Sequence, residues 1–133
     1  MRVMHLIAPG VLAGAERLVL AGCEALVACG VEIELIVIEE TRKPSLARDF
    51  VREAEARGLR TKTLVSRGRF DMMLMHRLFL AACQVDLLHV HGFKALVHAQ
   101  AAPDSSLLCL MISCHTASDD HLDRYERLGR FLA

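Results

Sequence analysis

At 133 residues the chain holds one domain of ordinary size and not two. Lys plus Arg is 16 and Asp plus Glu is 16, so there is no basic excess to draw it to nucleic acid. Apolar residues make up 53% and charged residues 24%, with no low-complexity tract, which excludes an intrinsically disordered chain.

The longest nearly apolar stretch, Val11 to Gly30, is interrupted by Glu16, Arg17 and Glu24 and does not read as a membrane span. The apolar run after Arg2 is too short for a signal-peptide core and lacks a small-residue cleavage site, so a cytoplasmic protein is expected. The five cysteines (Cys23, Cys29, Cys83, Cys109, Cys114) form no C-x-x-C pair and mostly sit in apolar runs, so reduced, structural thiols are expected.

Val3 to Ala8 is apolar except for His5 and ends at Pro9-Gly10, the pattern of a strand buried on both faces of a parallel sheet. Ala15 to Cys29 reads as a helix closed by Gly30. Ile33 to Ile38 is a second strand. Ser45 to Arg57 spaces its charges as a helix does before Gly58, and Thr61 to Val65 is a third strand. Arg69 to Cys83 is a Met- and Leu-rich helix and Asp86 to His91 a fourth strand. A helix over Phe93 to Ala101 stops before Pro103, Leu107 to Ser113 is a fifth strand, and Asp119 to Leu132 a charged last helix. This alternation predicts a three-layer, Rossmann-like α/β domain over residues 1–133 with a parallel sheet in order 3-2-1-4-5.

In such a sheet ligands bind outside the carboxyl ends of the strands, so the loops that follow the strands carry the candidates. Pro9 to Glu16 holds Gly10 and Gly14 at the start of the first helix, where backbone amides can approach a phosphate. Any strand-to-helix turn also needs a glycine or two. The loop lacks G-x-G-x-x-G, which weighs against a dinucleotide fold with Glu39 or Glu40 on a ribose. His89 and His91 lie on one side of a strand end and could be two metal ligands with Cys114, His115, Asp119, Asp120 or His121, but no spacing there is diagnostic and no metal is expected. His115 follows the fifth strand, where an imidazole could meet a reacting hydroxyl or a developing phosphate charge; a loop histidine held by its neighbours is the alternative. Cys114 beside it points to the opposite face, which argues against a Cys-His nucleophile.

The opening Met1-Arg2-Val3-Met4-His5-Leu6-Ile7, the turn Ala13-Gly14-Ala15-Glu16-Arg17, and Gly30 with Val31-Glu32-Ile33 resemble the N-terminal half of a family 4 glycosyltransferase. Arg69-Phe70-Asp71, Asp86 to Lys94 and Ser113-Cys114-His115-Thr116 resemble that family's later motifs in the same order. The resemblance implies a GT-B enzyme, two Rossmann-like domains across a cleft, that moves a sugar from a nucleotide-diphosphate sugar with retention of configuration. It needs no metal or other cofactor. It implies donor-phosphate contacts at Gly10, Ala13 and Gly14, Ala13 standing where the family has the first of two glycines. It implies acceptor contacts at His89, His91, Gly92 and Lys94, and a catalytic His115. The family's donor-binding C-terminal domain has no counterpart in this sequence, so the domain is expected to be incomplete at its C-terminus and inactive without that partner.

Two other readings stay open, a non-catalytic α/β binding or partner subunit and a fragment of a nucleotide-binding oxidoreductase. Between Arg42 and Arg69 nine basic residues face three acidic ones. This is either a solvated helix with internal ion pairs or a patch, including Arg48, Arg52, Arg67 and Arg69, for a sugar or lipid-linked acceptor or the anionic membrane surface carrying it. A mean hydropathy of +0.33 without a membrane span further predicts apolar surface or a strand edge left for a partner.

Overall fold

The computed structural model describes residues 1–68, 70–100 and 110–113. Elements alternate from the start: β1 (Arg2–Ile7), α1 (Gly14–Ala28), β2 (Glu32–Glu40), α2 (Pro44–Ala56), β3 (Thr61–Ser66), α3 (Met72–Ala82), β4 (Leu87–His91), α4 (Phe93–Gln100) and β5 (Leu110–Ser113). The strands form one parallel sheet in the order β3-β2-β1-β4-β5, as the alternation predicts.

Side-chain alternation along the strands divides the core into two layers. Val3 and Ile7 of β1 and Ile33, Leu35 and Val37 of β2 turn toward α1 and α2, meeting Leu20, Cys23, Phe50 and Ala54. Met4 and Leu6, Ile36 and Ile38, and Leu88 and Val90 turn the other way, toward Leu74 and Leu78 of α3 and Leu96 of α4. Each large aliphatic side chain taken fully out of water contributes about 2 kcal/mol before entropy is counted. The central strands are apolar on both faces for this reason.

Helix boundaries follow local chemistry. Gly30 and Gly58 sit just past α1 and α2 with φ of 82° and 74°, a conformation that glycine adopts without a Cβ penalty. Pro44 opens α2, where its missing N–H has no partner to lose. The helix expected from Arg69 begins instead at Met72, because the Asp71 carboxylate accepts from Leu74 N at 3.1 Å and Arg67 N at 3.0 Å and so fixes the cap. Those amides hold the Asp71 carboxyl below its ordinary pKa.

The described cysteines Cys23, Cys29 and Cys83 are free thiols, as expected, but only Cys23 has the expected structural burial. Cys23 is fully buried, and burial pushes its pKa up to about 11, whereas Cys29 and Cys83 are free and exposed. The expected last helix, His115 and Arg69, and the cysteines Cys109 and Cys114 lie outside the described residues. Apolar surface is present as expected: Phe70, Met72 and Met73 at the start of α3 are 79%, 73% and 61% exposed. Among the described residues no helix is long and apolar enough to cross a membrane.

Candidate functional site at the carboxyl edge of the sheet

β1 pairs with β2 on one side and β4 on the other, so the direction of strand addition reverses at β1–β4. Ile7 lies in register with His91, which brings the loop before α1 and the loop before α4 to the same place on the carboxyl edge. Loops that diverge to opposite faces leave a crevice there, and that is where α/β sheets take ligands.

The Pro9–Ala13 side of this crevice is held by Glu16. Its Oε1 accepts from Gly10 N at 3.1 Å and its Oε2 from Ala13 N at 3.4 Å. A carboxylate at the first turn of α1 suits the positive end of the helix dipole and satisfies amides that the helix leaves open. An anion approaching the Gly10 and Ala13 amides therefore competes with a carboxylate already in place. Ala13 has φ −124°, extended backbone open to any residue, so this loop has no conformational need for glycine at that position. A Cβ placed on Gly14 would meet nothing within 4 Å.

The β4 side ends in His91, Gly92 and Lys94. Gly92 takes φ 81°, and its carbonyl accepts from Leu96 N at 3.1 Å to open α4. Lys94 Nζ lies 2.6 Å from Glu40 Oε1, so this cation ties the start of α4 to the carboxyl end of β2, across β1 from β4. Glu39, the other carboxylate closing β2, sits 3.8 Å from Arg48. Of the two carboxylates either of which could hold a ribose, Glu40 is thus in a close ion pair and Glu39 in a long contact.

Below the edge, His5, His89 and His91 form a cluster that sequence reading only half found. Their ring centroids are 4.0 to 5.1 Å apart, and His5 Nδ1 is 2.8 Å from His91 Nε2, a hydrogen bond whose donor depends on the tautomer. His5 and His91 are buried and His89 is half-buried. Burial, with the neighbouring His89, lowers the His5 pKa to about 4, so the ring is neutral at ordinary pH. The partners that the sequence suggests for His89 and His91 follow β5 and lie outside the described residues; among the described residues a third imidazole comes from β1, where His5 pairs in register with His89. Alternation of β1 read together with the strand order would have found it.

The basic residues do not share one element. Arg48 and Arg52 are exposed one turn apart on α2, in long contacts of 3.8 Å to Glu39 and 3.9 Å to Asp49, while Arg67 stands in the turn after β3. Exposed pairs at such distances contribute little, so the positive charge stays available to solvent. Arg57 is spent structurally, with 2.9 Å contacts to Glu24 and Glu53 that tie α1 to α2. A polar cavity of about 250 Å³ lined by Arg2, Glu32, Glu34, Arg60 and Lys62 opens at the opposite, amino edge, away from where such sheets bind ligands.

No protein-family model matches the chain, and no curated protein matches it. Among solved structures, the crystal structure of a glycosyltransferase from Rickettsia africae ESF-5 is similar, with a TM-score of 0.58 and 12% identity over 93% of this chain. The match covers 33% of that protein, so this chain spans about a third of its length. At that identity the likeness establishes the glycosyltransferase-like α/β fold.

Proposed function

We propose that this chain is the acceptor-side domain of a retaining, GT-B, family 4 type glycosyltransferase. It takes a sugar from a nucleotide-diphosphate donor and is completed by a donor-binding half on further sequence or on a second subunit. The observation that carries this reading is the meeting of two motif loops, Gly10–Glu16 and His91–Lys94, at the β1–β4 switch point of a sheet shared with a glycosyltransferase.

In this reading the two loops line the crevice from opposite faces. The Lys94 ammonium, set by Glu40, presents positive charge toward an acceptor hydroxyl or its phosphate, and Gly92 lets the backbone come close. The donor diphosphate reaches the Gly10 and Ala13 amides only when Glu16 yields them. His115 is the imidazole that meets the reacting hydroxyl or the charge developing on the departing phosphate, a contribution typically of about 10²–10⁴ in rate. Arg48, Arg52 and Arg67 supply positive charge for a phosphorylated or lipid-linked acceptor at a membrane surface. Of the two carboxylates the oxidoreductase reading offers a ribose, Glu40 is paired closely with Lys94, while Glu39 makes only a long contact to Arg48.

The test is nucleotide-diphosphate release from a panel of nucleotide sugars by the chain together with whatever donor-binding half its gene or a neighbouring gene encodes. Release by the completed enzyme that falls about 100-fold or more in His115→Ala is expected. Release unchanged by His115→Ala, or none with any nucleotide sugar, overturns the proposal.

A further inference from the structure

A parallel sheet packed with aliphatic side chains has no packing reason to bury imidazoles, since each polar ring costs free energy unless its nitrogens find partners. Here three histidines from two adjacent strands share one spot. His5 Nε2 is buried with no hydrogen-bond partner among the described residues, so no neighbour on that side fixes the tautomer of the ring whose Nδ1 faces His91. One nitrogen from each of His5, His89 and His91 lies within 4.8 Å of the other two.

From this geometry we infer that His5, His89 and His91 form a binding site for one divalent transition-metal ion of the kind that prefers imidazole, with zinc as the representative. Zinc–imidazole bonds of about 2.0–2.1 Å in a tetrahedral arrangement place ligand nitrogens about 3.4 Å apart. The His5–His91 pair, now 2.8 Å apart, opens by about half an ångström, and the wider separations, none above 4.8 Å, close toward the same value. Side-chain rotation supplies movements of that size without shifting the strands. The ion takes the place of the proton between His5 and His91, and that proton moves to the far nitrogen of the ring that donated it. All three ligands stay neutral.

The backbone is suited to such a site. His5 and His89 are in register on hydrogen-bonded strands, and His91 follows two residues later on the same face, so two rigid elements fix all three Cβ positions. Solvent reaches the cluster through half-buried His89. Three protein nitrogens leave one position of a tetrahedral ion open for water or another small ligand. The ion fastens β1 to β4 beneath the crevice, and this inference stands independently of the sugar-transfer reading.

Metal-free full chain is titrated with zinc against a chromophoric chelator, and the cobalt-loaded chain is examined by absorption and X-ray absorption spectroscopy. Expected are one ion per chain, a tetrahedral cobalt spectrum without thiolate charge transfer, and imidazole scattering with no sulfur shell. Zinc affinity is expected to drop more than about 100-fold in His5→Gln and in His91→Gln, beyond what losing a mere supporting group costs. His76→Gln, which changes a histidine of α3 outside the cluster, leaves it unchanged. Failure of the unaltered chain to bind zinc stoichiometrically overturns the site, as does a sulfur shell from Cys29 or Cys83. Should the buried substitutions prevent folding, His89→Gln, at the half-buried member, decides: full retention of zinc affinity overturns the site.

Discussion

On the face that carries Val3, His5 and Ile7, β1 meets Ile33, Leu35 and Val37 along its β2 side, while along its β4 side His5 and Ile7 lie beside His89 and His91. One strand therefore belongs to two chemistries. The β1–β2 seam is held by burial, roofed by α1 and α2 through Leu20, Cys23 and Phe50. The β1–β4 seam carries polar rings inside the sheet and opens at its end into the crevice between the Gly10 and Gly92 loops. A strand pair that gives up aliphatic packing at the point where ligands bind is where function is expected to reside.

The largest effect should come from the aliphatic side. Phe50→Ala removes a side chain that is 1% exposed and should cost about 3–5 kcal/mol in urea unfolding. A cost below about 1 kcal/mol would mean that α2 does not roof this seam.

On the histidine side the signature is pH dependence. The folded His5 pKa is about 4 and the unfolded ring returns to 6.5, so between these values the unfolded chain binds the extra proton. Stability is then present above about pH 6.5 and is lost as pH falls through 4, by about 3 kcal/mol in all. Urea midpoints measured from pH 7 to pH 4 should fall more steeply for the parent chain than for His5→Leu. Parallel curves would contradict the buried neutral ring.

At the end of the same seam, Gly92→Ala meets no steric obstacle within 4 Å, so only its φ of 81° opposes the change. The expected loss is about 1 kcal/mol in thermal or urea unfolding. A neutral or stabilising result would show that residue 92 does not hold the left-handed conformation.

The smallest effect is on the outer face of the aliphatic side, where exposed Arg48 and Arg52 contribute about 1 kcal/mol each near an anionic surface. Co-sedimentation with anionic vesicles should weaken at high salt and drop in Arg48→Glu/Arg52→Glu. Equal binding to neutral and anionic vesicles, or none to either, leaves a solvated helix.

The aliphatic side was almost wholly legible in the sequence, because period-2 burial, Gly30, Gly58 and Pro44 are local signals and right-handed crossovers restrict the strand order. The expected start of α3 at Arg69 falls short because Asp71 is a capping residue, and that role depends on the backbone amides of Arg67 and Leu74 that its carboxylate meets. The histidine side was legible only in part. His89 and His91 share a strand, whereas His5 is 86 residues from His91 and joins them through strand order and register. Glu16 on the Gly10 amide and Lys94 on Glu40 escaped notice for the same reason, since each pair depends on where a loop or a distant strand brings its partner.

Calorimetric titration of the purified chain with nucleotide-diphosphate sugars, beside a coupled release assay, decides whether the chain supplies only the acceptor side of a sugar-transfer cleft, as proposed. Millimolar or weaker binding and no turnover are expected, because Glu16 holds the Gly10 and Ala13 amides and, under the proposed function, the donor-binding half lies outside this domain. Micromolar binding with turnover by the chain alone, lost in His115→Ala, would contradict the proposal and make these 133 residues a complete enzyme.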